Sequence, residues 1–141
     1  MQYKKTEKGW LLRLLRDEEI ISSLTKFAMD KKIESGFLFG LGAVYDPKIG
    51  YYDLTTKQYY SQILKGDYEI LNLTGNISAA DGKPVVHAHI TLSDQKCQAL
   101  GGHLFGAKIY ATGEIWIAPF DLRVERKLDT EIGLKLLDLG N

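Results

Sequence analysis

The spacing of apolar residues predicts one helix near the start of the chain. Its apolar side chains share one helical face: Ile20, Ile21, Leu24, Phe27 and Ala28. Asp17 precedes this stripe and is placed to cap the helix N-terminus, while Lys31 and Lys32 in the last turn complement the helix dipole. Gly36 follows as a stop signal. We therefore predict a helix over residues 17–32.

The rest of the chain has the pattern of strands, with alternating apolar and polar residues between turn-forming ones. The predicted strands cover residues 9–16, 36–44, 48–54, 57–64, 68–78, 84–92 and 101–120, with two shorter segments at 124–129 and 133–139. The first segment is rich in leucine and also fits a helix, and the segment 101–120 fits either one long bent strand or two. One helix against about seven strands predicts an α+β fold, in which a mostly antiparallel sheet packs with one main helix.

The three histidines of the chain lie within one short window of the sequence. In the run VVHAHITL, His87 and His89 alternate with the apolar residues Ala88 and Ile90. On a strand, this alternation places both histidines on one face and the apolar residues on the core face. The two Cα atoms are then about 6.5–7 Å apart, so both imidazoles can reach one cation. His103 lies on the next predicted strand, near enough in sequence for the two strands to pair.

Three imidazoles in this arrangement favour a divalent metal site, with zinc as the first candidate. Neutral imidazole binds zinc at about 2.0–2.1 Å. Three protein ligands leave a fourth position for water, which is typical of catalytic zinc. The alternative is that His87, His89 and His103 are half-exposed strand residues with no metal, because a His-x-His pair alone is a weak motif. The spacing leaves both interpretations open.

Composition limits the class of protein. A length of 141 residues with 45% hydrophobic residues predicts one globular domain spanning residues 1–141. One cysteine excludes an internal disulfide. Basic and acidic residues number 18 each, without the basic excess of nucleic-acid-binding proteins. Because no apolar run approaches the roughly 20 residues of a membrane-spanning helix, we expect a cytoplasmic protein without membrane contact.

Several motifs together resemble a known family. They are Leu-x-Gly-Asn at residues 73–76, the His-x-His pair, and Gly-Gly-His-Leu followed by Glu114. Their order and spacing are similar to those of the plant-and-prokaryote-conserved (PPC) domain, and the resemblance extends over about residues 8–138. This domain occurs alone in bacteria and archaea and is fused to AT-hook segments in plant nuclear proteins. The chain resembles the stand-alone prokaryotic type.

The resemblance implies a fold, an assembly and a site. It implies an α+β domain of the acetolactate decarboxylase-like fold that assembles as a homotrimer. It also implies that His87, His89 and His103 form a site similar to the three-histidine zinc site of that fold. Plant members carry Gly-Arg-Phe-Glu-Ile-Leu in a segment implicated in partner binding, where this chain has Asp67 in place of the arginine. A protein partner of the plant type is therefore not expected.

The first functional hypothesis is a metal-dependent enzyme that acts on a small molecule. Zinc lowers the pKa of water to about 7, and a nearby carboxylate would serve as general acid or base. Glu69 and Glu114, on strands next to the histidine segments, are the candidate catalytic residues. Asn76 is a candidate hydrogen-bond donor to a substrate oxygen. The competing interpretation is that both glutamates face outward and that Asn76 is a turn residue.

Two other functions remain as alternatives. The chain could be a DNA-binding or transcription-associated regulator, since tyrosines such as Tyr59 and Tyr60 can stack on bases. Aromatic pairs are, however, ordinary across a hairpin, which is where these tyrosines are predicted to lie. The chain could also be a trimeric binding or scaffold module without catalysis, because a fold does not determine a function.

We expect weak or undetectable binding to double-stranded DNA at physiological salt. The formal net charge is zero, and the sequence lacks the Arg-Gly-Arg core with which an AT-hook enters the minor groove. Fluorescence anisotropy with a labelled duplex, between about 50 and 200 mM salt, measures the affinity and its salt dependence. A tight complex whose affinity falls steeply with salt would contradict this expectation, because the slope counts neutralised phosphates.

Overall fold

Strands dominate the fold. The computed structural model describes residues 1–140, and within them lie nine strands and one helix. In chain order these are β1 (Gln2–Thr6), β2 (Gly9–Leu14), α1 (Ile20–Lys31), β3 (Gly36–Asp53), β4 (Gln58–Ile63), β5 (Asp67–Ala80), β6 (Lys83–Ser93), β7 (Ala99–Pro119), β8 (Glu125–Asp129) and β9 (Leu134–Asp138). The nine strands form one mostly antiparallel sheet, which confirms the predicted α+β class.

Four of the strands pair in a ring around the core. β3 pairs with β5 and β7, and β6 pairs with the same two strands, all antiparallel. β2 extends the sheet from β7, and β1 pairs with β2. β4 folds back on β3 as a hairpin. The β8–β9 hairpin joins β5 through a parallel pair between Ala79 and Glu125.

The strands differ from the prediction in two main respects. β3 is one continuous strand where the sequence indicated two, because the predicted break at residues 45–47 is only an irregularity in the pairing with β7, between Tyr45 and Lys48. A further bulge lies at Gly42. Gly42 has φ +148°, and a Cβ there would lie 2.1 Å from the carbonyl oxygen of Thr112, so glycine alone fits. β7 is one long strand, which is one of the two alternatives that the sequence left open. β1 was not predicted, because its residues are mostly exposed and do not alternate between apolar and polar.

The helix buries the predicted stripe against the sheet. Ile20, Leu24 and Phe27 are buried where α1 contacts β6 and β7. The N-cap, however, is Glu19 and not Asp17. The Glu19 carboxylate accepts hydrogen bonds from the backbone N–H groups of Ile21 and Ser22 in the helix, and from that of Ala107 in β7. It therefore ties the helix to the sheet.

Asp17 was wrongly predicted as the cap because the helix begins later than the sequence suggested. Its backbone is left-handed, with φ 70°, and its carboxylate accepts a hydrogen bond from the hydroxyl of Tyr45 at 2.8 Å.

Over the part of the chain that the structure describes, no helix has the length and apolar character needed to cross a membrane.

Replacing the cap should destabilise the fold. Glu19→Ala removes the acceptor of three backbone N–H groups, and we expect it to lower the free energy of unfolding by about 1–3 kcal/mol. Asp17→Asn is the matched control, because asparagine tolerates the left-handed backbone and keeps an acceptor for Tyr45. Urea unfolding followed by circular dichroism measures both variants. Equal losses for the two would show that Glu19 has no special role.

Candidate metal centre

β6 presents two histidines on one face of the sheet. The buried residues Ala88 and Ile90 alternate with His87, which is partly buried, and His89, which is exposed. This is the alternation that the sequence predicted, and it follows from the two-residue period of a strand. The core therefore fixes the direction of both imidazoles.

β7 brings the third histidine to the same place. His103 lies directly opposite His89 in the antiparallel pairing of β6 and β7, and opposed residues project from the same face. The ring centroids of His87, His89 and His103 are 5.1 to 5.4 Å apart. One nitrogen from each ring lies within 4.8 Å of the others. Within residues 1–140, no carboxylate joins this group at that distance.

The three side chains fit a divalent metal ion. The Nδ1 atom of His103 is buried, and among the described residues it has no hydrogen-bond partner. A buried polar atom without a partner is costly, and a metal ion would satisfy it. Zn–N bonds of about 2.0–2.1 Å imply nitrogens roughly 3.3 Å apart in a tetrahedral site. Small ring rotations would bring the histidines together, since the χ2 angle of histidine is broadly distributed. The cluster could therefore bind a metal such as zinc.

The environment keeps two of the imidazoles neutral at pH 7. Burial lowers the pKa of His87 to about 4, helped by the nearby charges of Arg126, His103 and His89. Burial and the neighbouring His89 also lower the pKa of His103. A metal ligand must offer an unprotonated nitrogen. Because burial lowers the pKa of both side chains, their ring nitrogens are available to coordinate a metal ion at neutral pH.

Arg126 on β8 also belongs to the site, which the sequence did not reveal. Its Nη2 donates to the Oδ1 atom of Asn76 at 2.8 Å and lies 3.3 Å from the Nδ1 atom of His87. Its Nε donates to the hydroxyl of Ser78 at 2.7 Å. Arg126 is 50 residues from Asn76 along the chain. A contact between residues so far apart in sequence cannot be predicted from a local sequence pattern.

Aromatic rings flank His103. Tyr59 lies with its ring centroid 5.0 Å from that of His103, and Phe105 lies at 4.8 Å. Tyr52 packs against Tyr59 across the β3–β4 hairpin at 4.9 Å, as the sequence predicted for paired tyrosines. Their position beside the histidines depends on the pairing of Gly50 with His103, which the sequence alone does not specify.

Asn76 lies beside the histidines on a strand, and the competing interpretation that it is a turn residue is wrong. It is in the interior of β5, directly opposite His87. Glycine is common in turns, but Gly75 here allows β5 and β6 to approach closely. A Cβ at this position would lie 2.3 Å from the carbonyl oxygen of His87. Because the Oδ1 atom of Asn76 accepts from Arg126, its amide N–H group is left as a donor. A role in substrate binding stays a prediction.

The two candidate glutamates lie apart from the histidine cluster of their own chain. Glu69 is exposed and pairs with Ser93, four residues beyond His89 on β6, or about 13 Å along the strand. Glu114 is exposed and lies eleven residues beyond His103 on β7. Their roles as general acid or base stay predictions that need another arrangement, such as a neighbouring copy.

Sequence comparison points to one family. The family model of the Plants and Prokaryotes Conserved (PCC) domain matches residues 1–121. Two Synechococcus proteins named bifunctional protein GlmU are 33% identical to this chain over 125 residues, or 86% of its length. The chain spans only 19% and 18% of the length of these two curated relatives.

Solved structures give the same relationship. A candidate DNA-binding protein from Bacteroides thetaiotaomicron is 31% identical with a TM-score of 0.96, over 99% of this chain and 98% of that one. A plant- and prokaryote-conserved (PPC) protein from Pyrococcus horikoshii is 31% identical with a TM-score of 0.87, over 97% and 93%. A metal-containing protein from Archaeoglobus fulgidus is 33% identical with a TM-score of 0.86, over 97% and 98%.

A more distant similarity concerns the fold alone. The α-acetolactate decarboxylase of Bacillus subtilis has a TM-score of 0.53 at 11% identity, over 93% of this chain and 60% of the enzyme. The expected acetolactate decarboxylase-like fold is therefore confirmed, and the activity of that enzyme is not transferred by it.

Proposed function

Because this chain belongs to the Plants and Prokaryotes Conserved domain family, we propose that it is a cytoplasmic homotrimer of one PPC-like domain, spanning residues 1–141, with a metal-dependent activity on a small molecule. His87, His89 and His103 would hold the metal, with zinc as the preferred ion. The observation that carries this proposal is the convergence of three imidazole nitrogens within 4.8 Å on one face of the sheet.

The properties of the donors support zinc. Imidazole is a ligand of intermediate softness that suits zinc and other late first-row ions, whereas magnesium and calcium prefer oxygen ligands. The relative from Archaeoglobus fulgidus, 33% identical over nearly the whole chain, is a metal-containing protein. The described cluster offers three protein ligands and no fourth. This is the arrangement of catalytic zinc sites, in which the fourth coordination position is open to water or substrate.

The residues around the histidines would bind and orient the small molecule. When bound, a zinc ion supplies Lewis-acid chemistry by polarising an oxygen of the ligand. Tyr59 and Phe105 offer an apolar wall beside His103. Asn76 would donate its amide N–H to a ligand oxygen, since its Oδ1 atom is already engaged. Proton transfer remains assigned by prediction to Glu69 or Glu114.

An exposed apolar surface supports the homotrimer. Phe37, Phe39 and Leu41 on β3 are 42%, 50% and 56% exposed, and with Leu11 on β2 we call them the apolar sheet face. Contiguous exposed apolar residues mark interaction surfaces. The formal net charge of zero offers little repulsion between copies.

The apolar sheet face and the histidines lie on the same side of the sheet. The register places Phe39 opposite Thr74, Thr74 opposite His89, and His89 opposite His103. Opposed residues on neighbouring strands share a face, so one continuous surface runs from the aromatic residues to the candidate metal site. A copy that covered the aromatic residues would approach the histidines, and its Glu69 or Tyr68 would be available to complete the site.

DNA binding is the second candidate function. Its support is the similarity to the Bacteroides thetaiotaomicron protein, a candidate DNA-binding protein at 31% identity. The balance of 18 basic and 18 acidic residues weighs against it. A trimeric binding or scaffold module would share the assembly and lack turnover.

Metal analysis tests the proposed site. Protein expressed with zinc and purified without chelator should carry near-stoichiometric zinc, measured by inductively coupled plasma mass spectrometry. His89→Ala should weaken zinc binding by about 100-fold or more, because losing a ligand costs at least as much as losing its supporting contact. Thr91→Ala, two residues further on the same strand face, is the control and should keep its zinc. Wild-type protein that emerges metal-free from zinc-replete cells would refute the site.

Light scattering tests the assembly. The native particle should have about three times the chain mass of 15.9 kDa. Phe39→Glu should break it into smaller species, because burying an unpaired charge at an interface is strongly unfavourable. Met29→Glu on α1, where the native side chain is 55% exposed, is the control and should leave the mass unchanged. A wild-type monomer that binds zinc with full affinity would exclude both the trimer and a site shared between copies.

A further inference from the structure

We propose that Arg126 selects the ligand of this site, and that the ligand is a small organic acid whose carboxylate is bound by the guanidinium. The inference deepens the proposed function, on which it rests for the presence of a metal beside the carboxylate. The binding of the anion by Arg126 itself follows from contacts that are independent of the metal.

Among the described residues, Arg126 is a partly buried charge without a counter-ion. Within the described part of the chain, its hydrogen-bond acceptors are all neutral: the Ser78 hydroxyl, the Asn76 amide oxygen and the backbone carbonyl of Lys135. Burial lowers the pKa of Arg126, which reflects the cost of holding this charge away from water. Charges held away from water are normally paired, so this guanidinium, which has no anionic partner among residues 1–140, is suited to bind an anionic ligand.

Arg123, three residues earlier, shows the contrast. Its guanidinium is exposed and binds two carboxylates, those of Glu34 at 2.9 Å and Glu125 at 2.5 Å. The better solvated arginine therefore has two counter-ions, while the less solvated one is held by neutral groups beside the histidines. An arginine with a purely structural role would be expected to have the reverse arrangement.

The guanidinium of Arg126 is held in place and still has a free N–H donor. Arginine carries five N–H donors in a rigid plane. The Nε atom donates to Ser78, Nη2 lies between Asn76 and His87, and Nη1 has the carbonyl of Lys135 as its described partner. Since Nη1 carries two N–H groups, one remains to bind an anion. A donor that is fixed before binding loses little entropy when the ligand arrives.

The charge of the whole site also favours an anion. Three imidazoles contribute no negative charge, and the cluster contains no carboxylate among residues 1–140. A divalent ion held there would stand beside the positive charge of Arg126, whose Nη2 is 3.3 Å from the Nδ1 atom of His87. Charges of the same sign at this range repel, and a bound anion would neutralise both. The ligand should therefore be negatively charged.

The surroundings favour an organic acid over an inorganic anion. The rings of Tyr59 and Phe105 lie next to His103 and give the site an apolar side. A carbon skeleton can bury apolar surface against these rings, whereas phosphate cannot. A carboxylate oxygen can accept the N–H group of Nη1 that the described contacts leave free.

Arg126 lies outside the part of the chain that the family model matches, which ends at residue 121. The histidines lie inside it. The metal ligands thus come from the matched region, while the residue that we assign to ligand selection comes from the β8–β9 hairpin beyond it.

A pair of isosteric probes tests the proposal. Propionate and propionamide differ in charge and little in shape, and inorganic phosphate is a third probe without a carbon skeleton. Each is titrated at constant ionic strength into ¹⁵N-labelled protein, zinc-loaded and chelator-treated, while backbone and arginine Nε chemical shifts are recorded. Propionate should bind saturably, and about tenfold or more tightly than propionamide, because a hydrogen bond to a charged group is stronger than one between neutral groups.

The variants locate the effect. Arg126→Gln should reduce the affinity for propionate to that for propionamide, whereas Arg123→Gln should behave as wild type. Should Arg126→Gln fail to fold, Arg126→Lys keeps the charge and should retain a weakened preference for propionate. Equal binding of the two isosteres to wild type, or unchanged propionate binding in folded Arg126→Gln, would overturn the assignment. Phosphate that binds more tightly than propionate would overturn the choice of a carboxylate.

The chelator-treated sample separates this inference from the metal site. Metal-free protein should still prefer propionate, more weakly than zinc-loaded protein, and the preference should still depend on Arg126. If the protein binds no zinc at all, the proposed metal function fails while this result supports the role of Arg126. Metal-free protein without any preference for propionate would refute that role, whatever its zinc content.

Discussion

The register between β5, β6 and β7 is the constraint on which the candidate site depends. The side chains of a strand change face with every residue, so a slip by one position would turn the histidines into the core and expose their neighbours. Ala88, Ile90 and Leu92 prevent this slip because their burial stabilises one register only. Gly75 contributes from the facing strand, where its missing side chain lets β5 approach the carbonyl oxygen of His87. The same apolar packing that stabilises the fold therefore places the imidazoles.

The charges of the site contrast with those of the chain. The whole chain is electrically balanced, yet the described cluster joins three imidazoles to a partly buried guanidinium without an acidic partner. Low pKa values for His87 and His103 follow from this arrangement, since burial and neighbouring positive charge both favour the neutral ring. This local group of metal-ligating and positively charged side chains is more informative about function than the overall charge of the chain, which mainly argues against nucleic-acid binding.

The sequence predicted the parts of the structure that depend on local periodicity. The helical stripe, the shared face of His87 and His89 and the tyrosine hairpin all follow from spacings of two or about four residues. The cap was misassigned because aspartate is a preferred N-cap residue and glutamate is not, and because the hydrogen bond from β7 that favours Glu19 is not local. The competing interpretation of Asn76 as a turn residue is wrong, because the predicted strand continues through Gly75 and Asn76.

Contacts between distant segments could not be predicted in this way. The position of His103 opposite His89 depends on how β6 and β7 align, and the spacing of the sequence shows only that they can pair. Arg126 reaches the site from the β8–β9 hairpin, whose connection to the main sheet is the parallel pair between Ala79 and Glu125. The hairpin is thus attached at the margin of a ring of strands that is held together by its own core. Because the hairpin lies outside that ring, a substitution in it can change the groups around the histidines while the strands that carry the imidazoles keep their register.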